Sequence, residues 1–177
     1  LCVIIHMYCA LRRFPTSYKK LHDLHSHVKL VHHEDTTLWY VQLITAFALF
    51  FLVFPHLMTM LTNPHGFDPN LIGVHTYHNG LLYTFIFLVC TELHGMIGLY
   101  RLAVKWDIFA KNPETDIIDQ RNGDRAGLRK TFLFIALLMI VCGTLTAWKN
   151  YSIGAELIEN GQEATRYVLA DENNWWK

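Results

Sequence analysis

Three histidines lie inside strongly apolar stretches of this sequence, where an ionisable side chain is costly unless it has a function. They are His6, His56 and His94. One histidine in such a stretch is more often a hydrogen-bonded packing residue than a ligand. Three of them on three separate stretches favour metal chemistry, because the iron of a b-type haem needs two neutral imidazoles that face each other at one depth.

The depth of each histidine can be estimated from the nearest end of its apolar stretch. His6 lies six residues before Arg12, or about 9 Å along a helix, and His94 lies about 10 Å from the same boundary. Because these depths agree, His6 and His94 can sandwich one haem. His56 lies about 27 Å beyond Leu38, near the opposite face. It is either a packing residue or the ligand of a second haem whose other ligand is not in this sequence, and we favour the ligand.

The stretch that contains His94 carries two cations on the same side. At about 100° per residue, Arg101 and Lys105 lie roughly −20° and +20° from His94, where they suit the propionates of a haem. Gly98 leaves room on that side for a flat macrocycle. The alternative is helix packing at Gly95 and Gly98, with the two cations extending toward the membrane surface.

Glu92 lies about 200° from His94 around the same helix, so it faces away from the predicted haem. Two interpretations of this buried carboxyl stay open. One is proton transfer within the membrane, and the other is a neutral glutamic acid that hydrogen-bonds neighbouring helices.

The elements that must position these residues are membrane-spanning helices. The 177-residue chain has a formal net charge of zero and 52% hydrophobic residues, and its charges lie between the apolar stretches. This segregation is typical of a polytopic membrane protein. We predict an all-α transmembrane helix bundle over residues 1–151 and a polar tail over 152–177, with helices at about 1–11, 38–62, 80–106 and 130–149. Because the sequence opens inside an apolar run, we expect an N-terminal part to precede it.

The connections between the predicted helices are polar. Residues 16–37 contain five histidines whose irregular spacing favours a solvated loop over a metal site. Basic residues are concentrated in the first and third connections and are lacking in the second. The positive-inside rule therefore places the first and third connections in the cytoplasm and the C-terminus outside.

Three longer runs resemble the dihaem cytochrome b subunits of quinol:fumarate reductases and of the related succinate:menaquinone reductases. They are MYCALRRFPTSYKK, HEDTTLWYVQLITAFALFFLVFPHLM and ELHGMIGLYRLAVKW. The resemblance covers residues 1–108 well and the last predicted helix weakly. It implies a five-helix membrane anchor, of which this chain carries the end of the second helix and the remaining three.

The resemblance implies two haem b groups with separate ligands. His6 and His94 would ligate the haem on the cytoplasmic side. His56 would ligate the outer haem, with its partner on a first helix. Pro55 departs from the small or aliphatic residue expected before this ligand, so the geometry around the outer haem is where a difference from the family is expected.

Further residues match positions with roles in the family. Trp39 and Lys105 match residues that contact the propionates of the inner haem. Glu92 matches a glutamate assigned to proton transfer across the membrane. The glutamate that the family uses for quinol oxidation lies between the first two helices, so this sequence does not contain it.

The function that the resemblance implies is oxidation of menaquinol, with electrons passing through two b haems to an iron–sulfur subunit and an FAD-containing flavoprotein that reduces fumarate. Succinate oxidation would be the reverse reaction. The implied location is the bacterial cytoplasmic membrane, the implied assemblies include a dimer of the whole complex, and no nucleic-acid partner is expected. The alternatives are a histidine-rich transporter and a non-redox anchor. Transporter ligands should converge at one depth, whereas His56 and His94 differ in depth.

Overall fold

A computed structural model describes residues 1–12, 17–31, 34–62, 69–108 and 118–161 of the chain. Every regular element among these residues is an α-helix, which confirms the predicted all-α fold. The helices are α1 (Cys2–Leu11), α2 (Tyr18–Val31), α3 (Glu34–Thr62), α4 (Pro69–Asn79), α5 (Leu81–Lys105) and α6 (Ile118–Glu159). Three segments are long and apolar enough to cross a membrane: Glu34–Thr62, Leu81–Lys105 and Arg125–Glu159.

The first of two compact units is Leu1–Val41, which contains α1, α2 and the first turns of α3. Helix α2 lies where the sequence analysis predicts a loop. The Ser17 hydroxyl accepts a hydrogen bond from the backbone N–H of Lys20 at 3.3 Å, as an N-cap residue does. Apolar residues recur at positions 21, 24, 28 and 31, which is the spacing of one helix face within a polar sequence.

The second unit is Gln42–Lys177, in which α4 and α5 both pack against α6. Helices α4 and α6 approach closely at Gly73 and Gly154, where a Cβ on Gly154 would overlap the carbonyl group of Gly73. Two glycines therefore allow the two backbones to touch. Gly80 joins α4 to α5 with a φ of 83°, a conformation that glycine adopts without strain.

Few side chains of the second unit are fully buried, as expected for helices whose outer surface faces lipid rather than water. Large apolar side chains such as Phe54 and Phe134 are exposed, each at 66%. Several threonine hydroxyls donate within their own helices, and Thr144, for example, donates to the carbonyl of Ile140 at 2.7 Å. The buried apolar residues among those described come from α5 and α6 and are Ile97, Tyr100, Ala103, Ala136 and Ala147.

Other helix bounds also differ from the predicted ones. Helix α4 occupies part of the predicted loop between residues 62 and 79, and α6 extends beyond 130–149 at both ends. The contact between Gly73 and Gly154 explains why the polar segment after Lys149 remains helical, since α4 packs against it. The predicted polar tail is thus helical as far as Glu159, and residues 162–177 lie outside the described part of the chain.

Candidate cofactor site

His94 is half-buried in α5, and α3 fixes the orientation of its imidazole. Its Nδ1 atom lies 3.2 Å from the main-chain oxygen of Gln42. A carbonyl oxygen only accepts hydrogen bonds, so Nδ1 must carry the proton and donate it. Nε2 is then the nitrogen that presents a lone pair. This is the arrangement found in metal-ligating histidines, whose other ring N–H is usually held by a carbonyl or carboxylate group.

The side chain of Gln42 lies against the same face of α5. Its Oε1 atom accepts a hydrogen bond from Nη1 of Arg101 at 2.6 Å. Its Nε2 atom lies 2.9 Å from the position that a Cβ on Gly98 would occupy. Because one residue contacts His94, Gly98 and Arg101, these three lie on one face of α5, in agreement with the angular estimate from the sequence. The space beside Gly98 holds the amide group of Gln42.

A second group of contacts joins α3 to α5 nearer the C-terminal end of α3. The hydroxyl of Tyr83 donates to the carbonyl of Leu52 at 2.7 Å. The ring centroids of His56 and Phe87 are 4.9 Å apart, with an angle of 35° between the rings. Helix α3 continues through Pro55, immediately before His56, to Thr62. The departure from the family pattern at Pro55 therefore leaves the helix that carries His56 intact.

A cavity of about 530 Å³ lies beside His56 and is bounded by residues of α3, α4, α5 and α6. Apolar and aromatic side chains, including Met60, Ile72 and Phe87, form much of its wall. The imidazole of His56 makes no hydrogen bond to another residue in the described part of the chain. An imidazole with free nitrogen atoms beside a largely apolar space has the chemistry needed to hold a haem.

The two imidazoles lie at different levels of the helix pair. Gln42, which contacts His94, precedes His56 by fourteen residues of α3. Fourteen residues correspond to about 21 Å along a helix. The two imidazoles are therefore too far apart to bind one metal ion, and the pair of helices presents them at two separate levels.

None of the contacts described above places the other predicted site residues in either cluster. His6 is exposed on α1 and Trp39 is half-buried on α3, and both belong to the first unit. Lys105 is exposed and Glu92 is half-buried on α5. Neither Lys105 nor Glu92 forms a hydrogen bond or ion pair with another described residue. The roles predicted for these four residues stay predictions.

Sequence reasoning missed Gln42, which contacts His94 and Arg101, and it missed polar residues that line the cavity. Gln42 is the one strongly polar residue in the run WYVQLITAF. Its isolation among apolar residues is the sequence feature that could have identified it. His75 and Asn150 line the cavity beside His56. They come from segments predicted as a loop and as a helix end, so their sequence positions gave no indication that they would meet.

Three long apolar helices, with polar side chains gathered between them, define a multi-pass α-helical membrane protein. The chain belongs to the family of succinate dehydrogenase/fumarate reductase transmembrane subunits, whose sequence pattern matches residues 19–146. The family resemblance noted in the sequence is thereby confirmed.

Two curated relatives illustrate the similarity. The chain is 36% identical over 179 residues to the fumarate reductase cytochrome b subunit of Helicobacter pylori, covering 100% of this chain and 66% of that protein. It is 38% identical over 146 residues to the fumarate reductase cytochrome b subunit of Wolinella succinogenes, covering 81% of this chain and 54% of that protein. The chain thus spans less than two thirds of the length of the curated relatives that it matches.

Proposed function

We propose that this chain is part of a dihaem cytochrome b subunit that oxidises menaquinol and delivers electrons for fumarate reduction, or works in reverse during succinate oxidation. Haem b, when bound, supplies reversible one-electron transfer, while the protein supplies ligation and electrostatics. The iron–sulfur subunit and the FAD-containing flavoprotein subunit are the proposed electron partners. The similarity to fumarate reductase cytochrome b subunits supports this function.

The observation that carries the proposal is the 3.2 Å contact between His94 Nδ1 and the Gln42 carbonyl. It selects the tautomer whose Nε2 atom can bind iron and fixes the plane of the ring. A histidine that serves only in packing can form its hydrogen bond through either nitrogen. An iron ligand needs one nitrogen free of a proton and the other held by an acceptor. We propose His6 as the second ligand at this level, following the agreement of their estimated depths.

His56 is the proposed ligand of the outer haem. Its imidazole lies beside the 530 Å³ cavity, against the ring of Phe87. The separation of about 21 Å along α3 between the levels of His94 and His56 allows one haem at each level. The second ligand of the outer haem is proposed, by family resemblance, to come from a preceding helix.

Three residues are proposed to bind the propionates of the inner haem. Arg101 and Lys105 supply positive charge on the His94 side of α5, and Trp39 can donate a hydrogen bond from its indole N–H. The bond from Arg101 to Gln42 holds the guanidinium on the same face as His94. Gly98 contributes by allowing the Gln42 side chain to lie against α5.

Glu92 is the proposed proton-transfer residue. Its half-buried carboxyl has no hydrogen-bond partner in the described part of the chain. A proton that moves inward with each electron would cancel the work of about 2.3 kcal/mol per 100 mV that the membrane potential imposes on the electron. The haem bound by His6 and His94 is proposed to face the cytoplasm of a bacterial inner membrane, with the C-terminus outside.

Optical spectra of the purified full complex test the proposal. The reduced-minus-oxidised spectrum should contain b-type α-bands from two haems. His94→Ala should remove one haem and retain the other, and His56→Ala should remove the other one. His78→Ala is the matched control, because His78 is an exposed histidine outside the cavity, and both haems should remain.

Either of two results would contradict the assignment. A full complex without any b-type α-band would exclude the cytochrome function. Retention of both haems in His94→Ala would exclude His94 as a ligand while leaving the cytochrome function in place.

A further inference from the structure

Helix α2 lies beside the first turns of α3 rather than in line with them. The Nδ1 atom of His25 on α2 is 3.2 Å from the hydroxyl oxygen of Tyr40 on α3, and the two ring centroids are 5.6 Å apart. These residues are fifteen positions apart in the chain. That spacing would correspond to about 22 Å if α2 continued the axis of α3. Helix α2 therefore turns away from that axis, and its middle lies at the level of Tyr40.

The level of Tyr40 has the features of a membrane surface. The segment Glu34–Thr62 is apolar enough to cross a membrane, and its first turn carries the charged residues Glu34 and Asp35. Trp39 and Tyr40 follow, and both are half-buried. Tryptophan and tyrosine are enriched where a helix passes from the lipid headgroups into the apolar part of the membrane. The contact with Tyr40 thus places α2 at the depth of the headgroups.

The sequence of α2 is amphipathic, as a helix at this depth requires. Its apolar residues recur at the spacing of one helix face, at positions 21, 24, 28 and 31. Tyr18, Leu21 and His25 lie within about 60° of one another around the helix axis, so this face adjoins the side that contacts α3. The side chains of Tyr18 and Leu21 are 84% and 42% exposed.

Helix α2 has few protein contacts that could stabilise it. Within the first unit, no described helix packs closely against its backbone. A helix of 14 residues is only marginally stable in water without tertiary contacts. A further surface is therefore needed to cover the apolar face.

The chain is basic where α2 begins. Residues 1–22 contain no aspartate or glutamate but four basic residues, which are Arg12, Arg13, Lys19 and Lys20. The side chains of Lys19 and Lys20 are exposed. Lys20 lies eleven residues before the end of α2, or about 16 Å from it, so these cations are well separated from the acidic first turn of α3. Basic clusters beside an apolar helix attract anionic lipid headgroups.

We propose that α2 is an interfacial helix, with its apolar face in the membrane surface and its basic first turn bound to the phosphate groups of anionic phospholipids. An acidic protein surface could neutralise the same cations. It would not account for an apolar helix face at the depth of the headgroups, whereas a lipid surface accounts for both features. This inference goes beyond the proposed function, because it requires neither haem nor quinol.

The test is hydrogen–deuterium exchange, measured by mass spectrometry on the full complex in lipid nanodiscs. One set of discs contains phosphatidylcholine alone, and the other also contains phosphatidylglycerol. The amides of residues 17–31 should exchange more slowly in the discs with phosphatidylglycerol. The double variant Lys19→Gln/Lys20→Gln should lose this difference, and high salt should reduce it, because both weaken attraction to the headgroups.

Lys149→Gln is the matched control, because it removes an exposed lysine from α6 and leaves α2 unchanged. The difference between the two kinds of disc should persist in this variant. Equal exchange of residues 17–31 in both kinds of disc would overturn the inference, and so would a difference that survives in the double variant. Slow exchange in both lipids that is lost when the iron–sulfur subunit is removed would overturn it in favour of a protein partner. Haem binding is tested separately by the optical spectra.

Discussion

Helices α4 and α6 meet backbone to backbone, whereas α3 and α5 are joined by side chains. At the first contact, Gly154 lies so close to Gly73 that no side chain fits between them. At the second, Gln42 reaches His94 and Arg101, and Tyr83 reaches the carbonyl of Leu52. The first arrangement leaves no room for a side chain at the point of contact. The second places polar side-chain atoms between α3 and α5, next to the cavity that all four helices bound.

Gly154→Ala should have the largest effect on this comparison. The added methyl group would meet backbone atoms of Gly73 that have no flexible side chain to move aside, and overpacking of this kind costs about 1–3 kcal/mol. Thermal unfolding of the detergent-solubilised complex should show a clear fall in the midpoint. Gly127→Ala is the control on the same helix, since its added Cβ would meet no described atom within 4 Å beyond its chain neighbours and its own helix backbone. Equal midpoints for the two variants would show that α4 and α6 are not tightly joined.

Gln42→Leu should have a smaller effect. It removes the acceptor of the Arg101 hydrogen bond, and a bond to a charged group at an exposed position contributes about 1–1.5 kcal/mol. The absorption of the haem proposed at the His94 level should remain, because the imidazole bonds to the main chain of Gln42. A double-mutant cycle with Arg101→Leu isolates the pair. Loss of that absorption would mean that the side chain, rather than the main chain, orients His94.

Tyr83→Phe should have the smallest effect of the three. It deletes one neutral hydrogen bond to the Leu52 carbonyl and keeps the ring in place, so we expect a loss of about 0.5–1 kcal/mol. Unfolding by denaturant in mixed micelles can resolve this change. Tyr151→Phe serves as the control, because the Tyr151 hydroxyl has no hydrogen bond within the described residues. A larger loss for Tyr83→Phe than for Gly154→Ala would reverse the proposed ranking of the two helix contacts.

Hydrophobicity alone located the apolar spans, and helical periodicity placed His94, Gly98 and Arg101 on one face, as their shared contacts with Gln42 confirm. The periodicity argument succeeds because it depends only on the geometry of a single helix. It gave no indication of Gln42 as the partner, since the acceptor for His94 is a main-chain atom that every residue possesses.

Hydrophobicity and helical periodicity cannot predict contacts between distant parts of the sequence. Gly73 and Gly154 are separated by most of the second unit, and neither glycine lies in a pattern that indicates the other. Helix α4 is only eleven residues long, and a helix of that length needs tertiary contacts to be stable. Its prediction as a loop therefore failed for the same reason that His75 was missed.

The tautomer of His94 and the position of the Arg101 guanidinium depend on different parts of residue 42. His94 bonds to its main-chain oxygen, and Arg101 bonds to its side chain. A main-chain carbonyl is present whatever residue is encoded at position 42, so the tautomer of His94 is insulated from mutation there. By contrast, a mutation at position 42 removes the side-chain acceptor to which the Arg101 guanidinium bonds. Substitutions at position 42 can therefore shift the positive charge of Arg101 near this imidazole, while the orientation of the His94 ring stays the same.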